Sequence, residues 1–546
     1  MCRSLVAALL ALLASAFALA AEPPAGQVEK PPWAQGEKPS AIRGRLVMER
    51  LTSAQSMLYP HDDGVACVLR TDTKEYYLIP PFGHDLGRCV GLDVEIRGWA
   101  GTRTDPSGTS VLLLLQPAQA PQALVPAWWS LPFILLLACI ALIPLLSKHF
   151  WERRHHQIAL GLGLVMVLVY VFALQRYGTH RMVETALDYF RFIALIGSLY
   201  VVTGGILVDI SGRGRPWLNT LLLLAGALIA NVIGTTGASA LLIRPYLRVN
   251  KDRIRPFHVV FFIFIVSNCG GVLTPIGDPP LFLGYLKGVP FLWTLKHCLP
   301  AWALVVGALC AVFFVFDCLA PKSGAAEKTT FRFSGSGNVV CLAWVLFGVF
   351  LDKVLPPQFA AYPAGALLMV MAAYTAYSIS RPENLARNEF TFGPIKEVAY
   401  LFAGIFATMV PALDYLAVNA EQLGITTPGG FYFASGALSS FLDNAPTYLN
   451  FLSAAHGLAG IPLAPANMPG FISCYAEYLL AVSLGSVFFG ACTYIGNGPN
   501  FMVKAIADAA GVETPSFLGY IFKYTLWILL PLYGVVWVIF FSGLLR

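Results

Sequence analysis

Thr274-Pro-Ile-Gly-Asp-Pro-Pro280 lies inside an apolar run, 257–287, and Thr493-Tyr-Ile-Gly-Asn-Gly-Pro499 lies inside another, 476–508. Pro and Gly at these densities open a helix and leave backbone groups without partners. In lipid such groups are tolerated only where the chain lines a cavity or is covered by protein. Two further apolar segments are interrupted in the same way: 217–242 at Asn231-Val-Ile-Gly-Thr-Thr-Gly237, and 431–452 at Asp443-Asn-Ala-Pro-Thr447. Taken singly, each is an ordinary membrane-helix kink. Four of them, one tip and one mid-span break in each half of the chain, predict two half-sites meeting near the membrane midplane.

Working outward, spans are expected at 128–147, 157–175, 188–210, 257–287, 299–319, 338–355, 360–378, 397–414, 476–508 and 518–543. The charge distribution decides what the two interrupted segments are. If each is a re-entrant hairpin, Lys148, Arg153, Arg154, Arg213, Arg215, Arg244, Arg248, Lys251, Arg253, Arg255, Lys322, Lys328, Arg332, Arg381, Arg387 and Lys396 all share one face. The loops 415–430 and 453–475 on the other face hold no Lys or Arg. A full crossing by 217–242 would throw the cluster around Arg253 to the wrong side. The order becomes three spans, a hairpin and two spans, twice, in opposite orientations. Three blocks repeat in order with slowly growing offsets: Leu195-Ile-Gly-Ser-Leu-Tyr with Leu401-Phe-Ala-Gly-Ile-Phe (206), Gly226-Ala-Leu with Gly436-Ala-Leu (210), and the two mid-span breaks (219). The expected fold is therefore an all-α polytopic membrane protein of two inverted repeats, 126–319 and 320–546, an arrangement characteristic of secondary transporters.

Composition agrees. Of 546 residues 57% are hydrophobic and 12% charged, about half the charge of a soluble domain. The net charge of +6 follows from basic loops, and no nucleic-acid motif accompanies it. Residues 1–21 read as a secretory signal, with Arg3, an apolar core Leu5–Leu13 and an Ala18-Leu19-Ala20 cleavage site; an uncleaved anchor is the alternative. Either reading puts 22–125 outside the cytoplasm, as a Pro-rich linker followed by a small β-barrel or sandwich from the runs Arg43–Glu49, Val65–Leu69, Tyr76–Ile79, Val94–Trp99 and Val111–Leu115. Cys67 and Cys89 share that oxidising compartment, so a disulfide between them is expected.

Within the four breaks stand two carboxylates, Asp278 and Asp443. A charge deep in a membrane helix is costly and is read first as functional. Each also precedes a new half-helix, where an Asp serves as an N-cap. Asp278 aligns with Asn497, and Asp443 with Ile233. Asn231, Thr235, Thr236, Asn268, Thr274, Asn444, Thr447, Thr493, Asn497 and Asn500 supply neutral oxygens suited to Na⁺. His155-His156 reads as a solvated basic turn, and Gly212-Arg-Gly follows no strand and so is no nucleotide loop. Neither a Ser-His-Asp nor an HExxH arrangement is present, and no enzyme is expected.

The blocks 231–286 and 436–510 resemble the ion-transporter superfamily, which includes sodium/proton antiporters, arsenite efflux permeases, citrate transporters and divalent-anion:sodium symporters. Ser267-Asn-Cys-Gly-Gly-Val-Leu-Thr-Pro-Ile-Gly-Asp-Pro-Pro280 with Phe441-Leu-Asp-Asn-Ala-Pro-Thr447 is most similar to the sodium:proton antiporter and citrate-transporter branch, over 128–546. The Ser-Asn-Thr tips of the divalent-anion symporters are replaced by Gly234-Thr235 and Asp443-Asn444. The resemblance implies exchange of Na⁺ or Li⁺ for H⁺ across a bacterial inner membrane, with Asp443 alternating between proton and cation and Asp278 supporting the second half-site. A citrate-type carboxylate symporter is the alternative, its anion held by half-helix N-termini. No cofactor is expected beyond the transported ions. The expected partners are the bilayer and a small ion or carboxylate, with a homodimer left open.

Overall fold

The computed structural model describes residues 40–50, 65–78, 89–104, 111–117, 122–320, 330–355 and 362–544. The expected signal lies outside the described residues, as does nearly all of the linker. The protein is a mostly helical, multi-pass membrane protein with a small N-terminal sheet. Nine helices among the described residues are long and apolar enough to cross a membrane, and Ser336–Asp352 and Ala364–Ile379 are shorter apolar helices.

The sheet comprises β1 (Ser40–Arg50), β2 (Val65–Arg70), β3 (Glu75–Leu78), β4 (Asp93–Thr104), β5 (Val111–Pro117) and β6 (Gln122–Ala123). Its order is β1-β2-β3-β5-β4-β6, and an added β1–β4 pairing closes five strands into a barrel of the OB type. Closure depends on β1 serving two neighbours. Residues 40–45 pair with β4, and residues 45–50 pair with β2. At the changeover a Cβ on Gly44 would collide with the Arg70 carbonyl, so the crossing strands need glycine there. Leu46, Leu69, Leu78, Val94, Ile96 and Leu115 fill the interior.

The expected Cys67–Cys89 disulfide is not formed; both residues are thiols. They pack against the same small core, but sharing a core is a weaker condition than the close, oriented Cβ geometry a bridge demands. Burial also pushes the Cys67 thiol above its usual range, which disfavours the thiolate that oxidation requires.

The helices are α1 (Leu131–Leu146), α2 (Lys148–Ala173), α3 (Gln175–Gly204), α4 (Pro216–Val249), α5 (Pro256–Ile265), α6 (Pro279–Leu286), α7 (Phe291–Leu319), α8 (Ser336–Val354), α9 (Ala364–Ile379), α10 (Gly393–Asn419), α11 (Pro428–Ser439), α12 (Asn444–Ala459), α13 (Met468–Phe489), α14 (Gly498–Ala509) and α15 (Leu530–Phe540). Helix α15 continues a π-helical stretch, Ile521–Leu529. By their packing they form two groups. Helices α1–α3 and α8–α10 pack mainly among themselves; α4–α7 and α11–α15 form the other body, which meets the first chiefly where α10 lies on α12 and α3 on α4.

Helix α4 has 34 residues and non-helical torsions at Gly234 (φ 77°, ψ 155°). Straight, it would part its ends by about 50 Å. Instead the Gly214 amide donates to the Val249 carbonyl (2.8 Å) and the amides of Asn219 and Asn250 bond each other, so the chain doubles back at Gly234. The base of this loop is stitched to the end of α7. Asn219, Arg253 and His258 all reach the buried carboxylate of Asp317 at 2.7–3.0 Å. The chain doubles back again between α11 and α12, where the rings of Phe431 and Phe451 lie 6.1 Å apart.

The third span ends earlier than the expected residue 210. Helix α3 stops at Gly204, and Leu207–Ser211 (β7) pairs antiparallel with Thr330–Ser334 (β8). A Cβ on Gly204 would overlap the Phe390 ring and one on Gly205 the Asn338 amide, while Asn388 caps the carbonyls of Gly204 and Ile206. The barrel sits at the end of the helices where α3 begins, and β7–β8 at the opposite end.

Candidate functional site

Helix α5 runs into a 3-10 turn, Cys269–Leu273, then an irregular stretch, then α6; α13 runs into a 3-10 turn, Gly490–Cys492, then an irregular stretch, then α14. Both breaks depend on the same close approach. A Cβ on Gly277 would strike the Gly271 carbonyl, and one on Gly496 the Gly490 carbonyl. In both, a threonine hydroxyl ties the break to the neighbouring tip. Thr274 Oγ1 donates to the Asn231 carbonyl (2.6 Å), and Thr493 Oγ1 to the Ser440 carbonyl (2.5 Å). Thr274 and Thr493 also accept from the amides of Gly277 and Gly496 (3.1 Å each).

The four irregular segments converge on one carboxylate. Asp278 is fully buried. Its Oδ1 accepts from Thr235 Oγ1 (2.9 Å) and Asn497 Nδ2 (3.2 Å), and its Oδ2 from Asn444 Nδ2 (2.6 Å). Each donor comes from a different element: the tip of α4, the break before α14, and the start of α12. Asn497 Nδ2 also reaches Asn268 Oδ1 (3.2 Å) and the Ser267 carbonyl (3.2 Å). One oxygen of this cluster, Asn444 Oδ1, is buried with no donor. A buried amide oxygen left so costs roughly 1–3 kcal/mol, and beside a carboxylate it is a natural ligand for a small cation.

The other expected residues are placed differently. Asp443 caps α12, accepting from the Ala445 amide at 3.0 Å, and Thr447 Oγ1 bonds back to the Asp443 carbonyl. Asn231 and Asn500 brace the backbone. Asn231 donates to Gly270 and accepts from the Leu273 amide, and Asn500 donates to the Gly490 and Thr493 carbonyls while accepting from Asn268. Thr236 lines a small cavity of about 30 Å³ beside the α4 tip. The matching contacts set Asn231 against Ser440 and Thr235 against Asn444, so Gly234, not Ile233, corresponds to Asp443.

Helices α6 and α12 lead from this cluster to a cavity of about 300 Å³ under the barrel. Leu283 and Leu286 line it from α6 and Lys287 from the cap that follows, Leu449 and Ser453 from α12, and Cys89 and Gln122 from the barrel side. Its charges are paired: Arg181 with Asp414, and Lys287 with Asp188 at 2.6 Å. Sequence reading passed over these residues. The available signal was carboxylates within membrane-spanning helices, Asp188 and Asp414.

A family model described as "Putative citrate transport" matches residues 122–541. The chain belongs to this citrate-transport family. The resemblance read from the two breaks is thus the family itself, a branch of the ion-transporter superfamily, and the chain is a secondary transporter. The match begins at Gln122, where β6 starts, so the first five strands of this family member's barrel stand outside it. No curated protein matches the chain.

Proposed function

We propose that this transporter exchanges Na⁺ (or Li⁺) for H⁺, with Asp278 as the group that carries either ion. The observation behind this reading is the meeting of Thr235, Asn444 and Asn497 on a buried carboxylate, with Asn444 Oδ1 unpartnered beside it. Turning the Asn444 and Asn497 amides would present oxygens in place of N–H groups, and with Thr235 Oγ1 and Asp278 they form an oxygen shell for a hard cation. A proton on Asp278 removes the charge that shell needs, so proton and cation exclude each other. The recurrent contacts at both breaks, and the doubling back of α4 and of α11–α12, support two inverted repeats with re-entrant hairpins. The body bearing the hairpins then moves against α1–α3 and α8–α10, in a bacterial inner membrane with the barrel outside, as the charge asymmetry of the loops favours.

The second reading, citrate symport, is favoured by the family match. In it the same cation site energises uptake and the half-helix N-termini hold the carboxylate. Proteoliposomes with an internal pH dye separate the two. Exchange predicts proton movement on addition of Na⁺ or Li⁺ alone. Proton movement that requires citrate, or Na⁺-dependent uptake of labelled citrate without it, selects the symporter, and a response in neither assay sets both aside.

A further inference from the structure

The barrel meets the two helical bodies in different ways. Against α2, α3 and the middle of α10 the contact is apolar, with one polar tie at the end of α10: Ala123 and Val125 pack with Tyr170, Met182 and Val410, and Tyr177 reaches the barrel core. Against the hairpin-bearing body the contact is polar and narrow. Arg97 lies on Gly460, in the turn after α12, so closely that a Cβ there would overlap the guanidinium. One buried carboxylate organises both sides. Glu95, 5% exposed, accepts from Arg43 Nε (2.8 Å) and Arg97 Nε (3.1 Å). Arg43 continues to the Val418 carbonyl (3.3 Å) at the end of α10. Glu95, Arg97 and Gln122 face Gly460, Ile461 and Pro462 across a small gap.

An apolar seam of that kind stays closed, whereas a part-exposed arginine on a backbone is weak enough to release and re-form. We propose that the barrel is a fixed outer stop for the moving body, with Arg97 on Gly460 as a latch that holds the state whose cavity opens beneath the barrel and that parts in every cycle. The inference rests on the two-body reading of transport above. Glu95 sets the latch by holding Arg97 in place, so it is a positioning residue.

The test uses the full chain, free of other cysteines, in proteoliposomes. Thr185→Cys, on the cavity wall, reports by its labelling rate with an impermeant maleimide. Arg97→Gln and Gly460→Asn are both expected to slow labelling severalfold, and Arg97→Lys to restore most of it. Asn tolerates the left-handed backbone at this position (φ 69°), so Gly460→Asn displaces Arg97 without unmaking the turn. In a second arm, oxidising the pair Gln122→Cys and Pro462→Cys is expected to stop turnover, and reduction to restore it. Unchanged labelling in both variants, or full turnover while cross-linked, overturns the proposal. Labelling follows the position of the body whatever the cargo, so a wrong substrate leaves this result standing. Labelling of the parent that ignores Na⁺, citrate and pH alike would defeat the two-body reading instead.

Discussion

Asp278 and Asp443 both precede a helix, yet their carboxylates point to different tasks. Helix α6 opens with Pro279 and Pro280, which have no N–H to cap, and Asp278 makes no side-chain cap. Its oxygens turn across to three other segments. Helix α12 opens with Asn444 and Ala445, and Asp443 caps it. Asp278→Asn should therefore reduce coupled exchange to background with the protein still inserted, whereas Asp443→Asn, which keeps a good cap, should stay within a few-fold of the parent. Everted-vesicle assays of both variants decide the matter, and the reverse ranking would return the carrier role to Asp443. In the parent, lowering the pH protonates more of the site, so the Na⁺ concentration for half-maximal exchange should rise, approaching about tenfold per pH unit once most sites hold a proton. The breaks themselves were legible, because Gly and Pro are conspicuous in an apolar run. The convergence of Thr235, Asn444 and Asn497 on Asp278 was not legible, although the paired prolines after Asp278 mark it as the carboxylate with no cap to make.

At the scale of elements, the sharpest demand falls on Gly234. Its torsions lie in a region that only glycine occupies readily. A Cβ there would meet the Ile276 carbonyl at 3.4 Å, an ordinary contact, so the cost of substitution is one of backbone conformation. Gly234→Ala should destabilise the protein by about 1–3 kcal/mol, seen as earlier thermal unfolding in detergent. Gly307→Ala, in the middle of α7 with open space around it, should be neutral or stabilising by roughly 0.4–1 kcal/mol. Equal effects of the two changes would mean that the turn at Gly234 is not under strain. The spans were readable from hydropathy, which is a local property. The β7–β8 pair was not, because Leu207–Ser211 finds its partner more than a hundred residues away, and local pattern holds no trace of the match. The Asp317 cluster escaped for the same reason, its four contributors coming from the ends of three helices and a loop.

For the whole molecule, the sidedness of charge and the position of the barrel point the same way. Arg244, Arg248 and Arg387 pair with Glu389 and Asp209 at the end remote from the barrel. Arg253, an obvious labelling target in the sequence, is buried on Asp317; the exposed Arg387 serves better. Cysteines placed at Arg387 and at Glu421 should show opposite accessibility to an impermeant reagent in intact cells, Glu421→Cys reacting and Arg387→Cys not. Reaction at both would refute the proposed orientation. The barrel strands could be read from alternation, but their closure could not, since it depends on β1 dividing its length between two partners.

The β7–β8 pair also bears on how the chain is made. Leu207–Ser211 leaves the ribosome well before Thr330–Ser334 exists, so its ladder groups face the aqueous side unpaired while α4–α7 insert. An unpaired strand edge of this kind attracts wrong partners, and pairing across so long a separation is slow to form. The first half of the chain thus waits, inserted but unfinished, until translation of the second half supplies the strand that completes it.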